Sequence, residues 1–128
     1  METSTRQRIY LAFNIGDSMF DDDKDVLILR RNISHDEFYK YLESGNVISC
    51  LNGSHQNTIK EIERRFDVKL PVPKEPPRIK LTQGDAVITI SSRGLPRKTQ
   101  NALEHQSEAL ERASFHFSLY IILDNGTR

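Results

Sequence analysis

From Phe115 to Leu123 the chain alternates without interruption. Phe115, Phe117, Leu119, Ile121 and Leu123 fall on one side, and His116, Ser118, Tyr120 and Ile122 on the other. A strict period of two over this length predicts a β-strand with Phe115 to Leu123 on its buried face. A strand cannot stand alone, because its backbone donors and acceptors need partners. The rest of the chain must therefore supply a sheet.

Other segments meet that demand. Arg8 to Phe13 alternates, with Ile9, Leu11 and Phe13 on one face, and predicts a first strand. Val26 to Leu29 is a short apolar run and predicts a second. Val47 to Leu51 reads as a brief extended segment. Arg78 to Leu81 and Ala86 to Ser92 flank the turn residues Gln83-Gly84-Asp85 and predict a hairpin. Between these lie helical patterns. Ser34-His35-Asp36-Glu37 has the form of a capping box, followed by Phe38, Tyr41 and Leu42, with Gly45 as the stop. Ile59, Ile62 and Phe66 form the apolar face of a second helix. A weaker stripe of Leu103, Gln106, Ala109, Leu110 and Ala113 suggests a third. Four of the five prolines lie in Leu70 to Pro77, which reads as an extended connector within one domain. The expectation is one α/β (α+β) domain over 1–128, with its ordered core at about 8–123. It has a mixed sheet of about five strands flanked by helices.

Composition narrows the function. The 128 residues carry 18 Lys and Arg against 18 Asp and Glu, so the net charge is zero. A protein that coats long DNA or RNA needs a surplus of cations, so that class is set aside. A compact anion needs only a local patch. Acid gathers in Asp21, Asp22, Asp23 and Asp25, which lack the spacing of a calcium loop and read as a solvated loop. The one cysteine, Cys50, follows an apolar segment and reads as a packed thiol. The four histidines lack zinc-site spacing, so no metal and no other cofactor is expected. No signal-peptide core or bilayer-length apolar run occurs, which suggests a soluble cytoplasmic protein with no membrane partner.

Two segments could carry chemistry. Asn52-Gly53-Ser54-His55-Gln56-Asn57-Thr58 is the most polar cluster of small residues in the chain and runs into the second helix. Small residues let an anion approach the backbone, the helix start offers unpaired N–H groups, and His55 can move a proton near neutral pH. The same residues also suit an ordinary capping loop, with Ser54 or Asn57 as the cap and His55 exposed. The second segment is Arg93-Gly94-Leu95-Pro96-Arg97-Lys98, directly after a strand. Its cations suit a phosphate grip, since arginine presents a planar fork, but a solvated basic turn explains them too. Arg78 and Lys80 would extend this patch.

The order of these features resembles a known family. Ile9-Tyr10-Leu11-Ala12, then Ile48 to Thr58, Leu70-Pro71-Val72-Pro73, Pro77 to Leu81 with Gly84-Asp85, and Arg93 to Arg97 carry the likeness. They resemble the small dimeric family typified by an orphan protein of a turreted icosahedral archaeal virus, which includes the type III anti-CRISPR ring nucleases of viruses. The resemblance implies a mixed sheet assembled as a homodimer. It implies binding of a cyclic oligoadenylate, cyclic tetra-adenylate, across the dimer. It also implies metal-independent cleavage of that second messenger to linear di-adenylate with 2′,3′-cyclic phosphate ends. His55 then matches the catalytic histidine and Arg93 the arginine after the strand. Ligand contacts would come from Asn52, Gly53, Ser54, Gln56, Asn57, Thr58, Arg97, Gly16, Asp17 and Ser18.

The sequence also departs from the viral pattern. Pro96 stands where the viral nucleases carry a glutamate, in a run closer to the bacterial members. Gly16 stands where they carry a serine, with Asp17 and Ser18 nearby but offset. Two alternatives therefore stand beside the ring nuclease. One is a non-catalytic nucleotide sponge, and the other is a protein-interaction factor of a mobile element.

Overall fold

The chain is described by a computed structural model, which defines residues 7–21, 25–93 and 114–124. Five strands form one mixed sheet: β1 (Ile9–Ala12), β2 (Leu27–Ile33), β3 (Val47–Ser49), β4 (Ala86–Arg93) and β5 (Ser114–Asp124). Among the described residues two helices accompany them, α1 (His35–Glu43) and α2 (Gln56–Phe66). The spatial order is β2-β5-β4-β1-β3. β1 pairs in parallel with β3 and with β4, whereas β5 runs antiparallel to both β4 and β2. The expected single α+β domain with a five-stranded mixed sheet is the observed one.

The sheet is covered on both faces. On the first, α1 and α2 lay Phe38, Ile59 and Ile62 over Leu11, Ile88, Ile90, Phe117 and Leu119. Phe38 is fully buried and stacks on Phe117, with ring centroids 4.1 Å apart. On the second face, Tyr10, Ala12, Val87 and Ile122 are capped by Leu81, Ile79, Ile15, Met19 and Phe20. This explains why β1 reads Ile-Tyr-Leu-Ala: a strand covered on both sides has no wet face to fill with polar residues.

The helix ends follow from local chemistry. The Ser34 hydroxyl accepts the Glu37 N–H at 3.1 Å, and the Glu37 carboxylate accepts the Ser34 N–H at 3.4 Å, so the capping box is present. Past α1, Gly45 takes φ +74°, a left-handed conformation that glycine adopts without steric cost. α2 ends instead on Asp67 at φ 54°.

Three expectations need correction. Arg78 to Leu81 is not a strand, so there is no hairpin with β4. The segment lies extended on the second face, tied by the Leu81 N–H to the Met19 carbonyl at 2.8 Å. Any extended segment lying flat on an apolar surface alternates, so Ile79 and Leu81 inward with Arg78 and Lys80 outward did not need a ladder. Second, β2 runs on through Arg30, Arg31 and Asn32 to Ile33, because an edge strand tolerates polar residues on both faces. Third, the alternation of β5 does not hold to its end. The register shifts where Leu27 and Ile28 pair with it and Leu123, expected on the buried face, is exposed, while Ile122 keeps to the opposite side and is buried on the second face. The weak helical stripe at Leu103 to Ala113 lies outside the described residues.

Candidate functional site

Parallel pairing brings three strand ends to one edge. The chain leaves β1 at Phe13-Asn14, β3 at Cys50-Leu51-Asn52 and β4 at Arg93. Past β1 it crosses to the second face, where Ile15, Met19 and Phe20 pack. Past β3 it crosses to the first face, where Ile59 and Ile62 of α2 pack. Neighbouring strands whose continuations diverge in this way leave a crevice at their carboxyl ends, the usual place for a ligand in sheets of this kind.

The polar cluster stands at that end of the sheet, directly after β3. Asn52 opens a single 3-10 turn over Gly53–His55, its side-chain oxygen accepting the Ser54 N–H at 2.9 Å and its carbonyl accepting the His55 N–H at 3.1 Å. The turn runs straight into α2 at Gln56. Asn52, and neither Ser54 nor Asn57, thus starts the helical segment, and His55 is the N-cap of α2 by backbone position only, with no side-chain cap. Asn52 through Asn57 are all exposed, and Thr58 is half-buried. The His55 ring meets Phe13 edge to face, with centroids 5.0 Å apart and planes at 62°. Such a contact is worth about 0.5–1.5 kcal/mol and limits the orientations of the ring. Phe13 was invisible as a site residue in the sequence, because only the β1–β3 pairing brings it to His55.

The remaining candidates divide. Gly16 has extended backbone, φ −110° and ψ 158°, and precedes a 3-10 turn over Asp17–Met19. A Cβ at Gly16 would meet nothing nearer than the Ser18 hydroxyl at 4.0 Å, so a serine fits there. Asp17 and Ser18 are exposed. Ser18 borders a depression of about 540 Å³ with Met19, Pro77, Arg78, Ile79 and Lys80. Arg78 and Lys80 therefore join the first loop, and Lys80 already donates to the Phe20 carbonyl at 3.1 Å. Arg93 ends β4, its backbone in register with Ser114, and its side chain lies outside what the structure describes. Arg97 and Pro96 also lie outside the described residues.

Cys50, just past β3, is half-buried and packs toward the second face, and burial pushes its thiol pKa up. It is a poor nucleophile there. Among the described residues no group of three His, Cys, Asp or Glu side chains could hold a metal ion, and no helix is long and apolar enough to cross a membrane.

The class this geometry defines is a mixed five-stranded α+β domain with a polar, histidine-bearing turn at the carboxyl ends of its parallel strands. The fold is similar to that of a solved protein, B116 of Sulfolobus turreted icosahedral virus (STIV). The match has a TM-score of 0.58 at 14% identity and covers 89% of this chain and 98% of that one. At that identity the likeness extends to the fold. No protein-family model and no curated protein matches the chain.

Proposed function

We propose that the protein binds a cyclic oligoadenylate, cyclic tetra-adenylate in the first instance, at the crevice beside His55, and cleaves it as a homodimer without a metal. One observation carries the reading. An exposed histidine on a small, polar turn at a helix start sits at the edge where β1, β3 and β4 all end. The fold it shares with a viral protein supports the same family reading that the motifs suggested.

The chemistry needs little from the protein. A ribose 2′-hydroxyl attacks the adjacent phosphorus and loses its proton to water, the bond to the 5′ oxygen breaks, and that oxygen takes up a proton. The products are a 2′,3′-cyclic phosphate and a free 5′-hydroxyl, and two such cuts give linear di-adenylate. His55 supplies the proton, while Arg93 and the N–H groups at the start of α2 stabilise the phosphate charge. A two-fold dimer presents two such sites to a symmetric ring. The biological effect is to switch off type III CRISPR signalling.

The test is incubation with labelled cyclic tetra-adenylate in EDTA, with products separated by chromatography. His55→Ala should slow cleavage about 10²- to 10⁴-fold, the contribution typical of a general acid. Gly16→Ser, which the space allows, should speed it. Absence of both binding and cleavage would sink the proposal. A second reading, a sponge that binds without cleaving, is favoured by the surroundings of His55. Among the described residues its ring contacts Phe13 and no carboxylate. A mobility shift with intact ligand would establish that reading instead.

A further inference from the structure

Ser49 is the last residue of β3, and the chain reaches the His55 turn from it through Cys50 and Leu51. The Ser49 hydroxyl makes two bonds. It donates to the Pro71 carbonyl at 2.5 Å and accepts the Leu51 N–H at 3.2 Å. One oxygen therefore ties the proline-rich connector to the chain on its way into the turn.

The neighbours of Pro71 reach the other sides of the turn. The Leu70 N–H donates to the Glu63 carboxylate of α2 at 2.8 Å, and Leu70 and Leu51 are both buried in the first-face core. Val72 lies over Gly53: a Cβ added to Gly53 would stand 4.0 Å from a Val72 methyl, an ordinary van der Waals contact. Leu70, Pro71 and Val72 thus touch α2, β3 and the turn in succession. Pro71 and Pro73 flank Val72, and each fixes its own φ and carries no N–H, so the stretch is stiff. The two bonds that Asn52 accepts from Ser54 and His55 begin and end within the turn, so they shape it without fixing it to the sheet.

We propose that Ser49 is a positioning residue for His55, acting through the Leu70–Val72 brace, so that the ring is held toward the phosphate whose 5′ oxygen it protonates. This rests on the reading of His55 as the proton donor. Misplacing a reacting group by about 1 Å costs on the order of 10²-fold in rate. Ser49 is only half-buried, so water replaces a lost hydroxyl at the Pro71 carbonyl and the Leu51 N–H. The fold then survives, Val72 is no longer held onto Gly53, and the loss falls on placement of the ring.

The experiment compares the full chain with Ser49→Ala, Ser49→Thr and Val72→Ala by two readouts. The first needs no ligand. NMR follows exchange of the Ser54 and His55 amides, whose acceptors both lie on Asn52 and are untouched by the substitutions, and the shift of the His55 ring protons, which the Phe13 ring displaces. Ser49→Ala should speed both amides at least about fivefold, the equivalent of one hydrogen bond, while α1 amides keep their rates. It should also move the His55 protons toward those of a free histidine. The second readout is cleavage of labelled cyclic tetra-adenylate in EDTA, where kcat should fall at least about tenfold with KM within about twofold. Ser49→Thr keeps the hydroxyl and should restore both readouts, and Val72→Ala should shift both in the direction of Ser49→Ala. A wild-type chain that cleaves nothing overturns the role in proton transfer, and the amides and ring shift then decide the brace alone. The brace is overturned if Ser49→Ala leaves the two amides and the His55 shift unchanged, if α1 amides speed up equally, or if Ser49→Thr behaves as Ser49→Ala does. A loss carried by KM instead of kcat would overturn the positioning of His55.

Discussion

The turn that leads into β4 is held by a carboxylate that cannot reach water, and removing its exposed partner should be unusually costly. Asp85 is 2% exposed. Its side chain accepts from Arg8 Nε at 3.2 Å and Nη2 at 3.1 Å, and from the Thr82 N–H at 2.8 Å and hydroxyl at 3.1 Å. Its backbone carbonyl also accepts the Ile122 N–H at 2.9 Å, which ties the turn to β5. The Arg8 side chain is 49% exposed. By exposure alone Arg8→Ala would lose a surface pair, worth about 0–1 kcal/mol. By geometry it strands a buried negative charge with Thr82 as its remaining partner. Breaking a buried pair costs about 3–5 kcal/mol, and discounting for the solvated guanidinium leaves about 2–3 kcal/mol. Asp85→Ala should cost a similar amount, since Thr82 loses its acceptor while Arg8 turns to water. The double variant should cost less than the sum of the two, with a coupling of at least about 1 kcal/mol. Urea unfolding followed by circular dichroism measures all three, with the midpoint shifting at constant slope. An Arg8→Ala cost below about 0.5 kcal/mol would refute the reasoning. Arg8 and Asp85 stand at the amino ends of β1 and β4, opposite the His55 edge, so ligand binding should survive in each folded variant.

Three further outcomes are expected. Asp67→Gly should raise stability by about 0.5–1 kcal/mol, because φ 54° favours glycine and a carboxylate at a helix C-terminus opposes the dipole; thermal unfolding reads this. The Glu61 carboxyl is held below its ordinary range, chiefly by its hydrogen bond to Arg64 and also by Arg65. Its contribution is thus present above the unfolded carboxyl pKa and is lost as pH falls through the lower folded value, so Glu61→Gln should flatten the loss of stability below about pH 4.5 in acid titrations of unfolding. Cys50, with its thiol pKa raised by burial, should react with iodoacetamide more slowly at pH 8 than a free cysteine does, and denaturation should abolish the difference.

Much of the fold was legible because its signals are local. The Ser34 and Glu37 capping box, the stripe of Ile59, Ile62 and Phe66, and the alternation from Phe115 to Ile121 each act within a few residues. The false hairpin at Arg78 to Leu81 shows the limit of such signals. Alternation reports that one side of an extended segment is buried, and it is silent on whether a sheet or a lone chain does the burying. The hidden length of β2 has the complementary cause, since Arg30, Arg31 and Asn32 lie on an edge strand where polar side chains cost little.

The candidate site divides along the same line. His55 could be found because a run of small polar residues before an apolar helix is unusual in itself. Phe13 could not, since it acquires its role from a residue more than forty positions away. By itself the sequence determined which segments extend, which coil and where a histidine meets a helix start. The tertiary structure decided which strand ends share an edge and which face each loop covers. Hydrophobic period and capping are properties of neighbouring residues, whereas strand pairing is a choice among distant partners made by how two covered faces pack together.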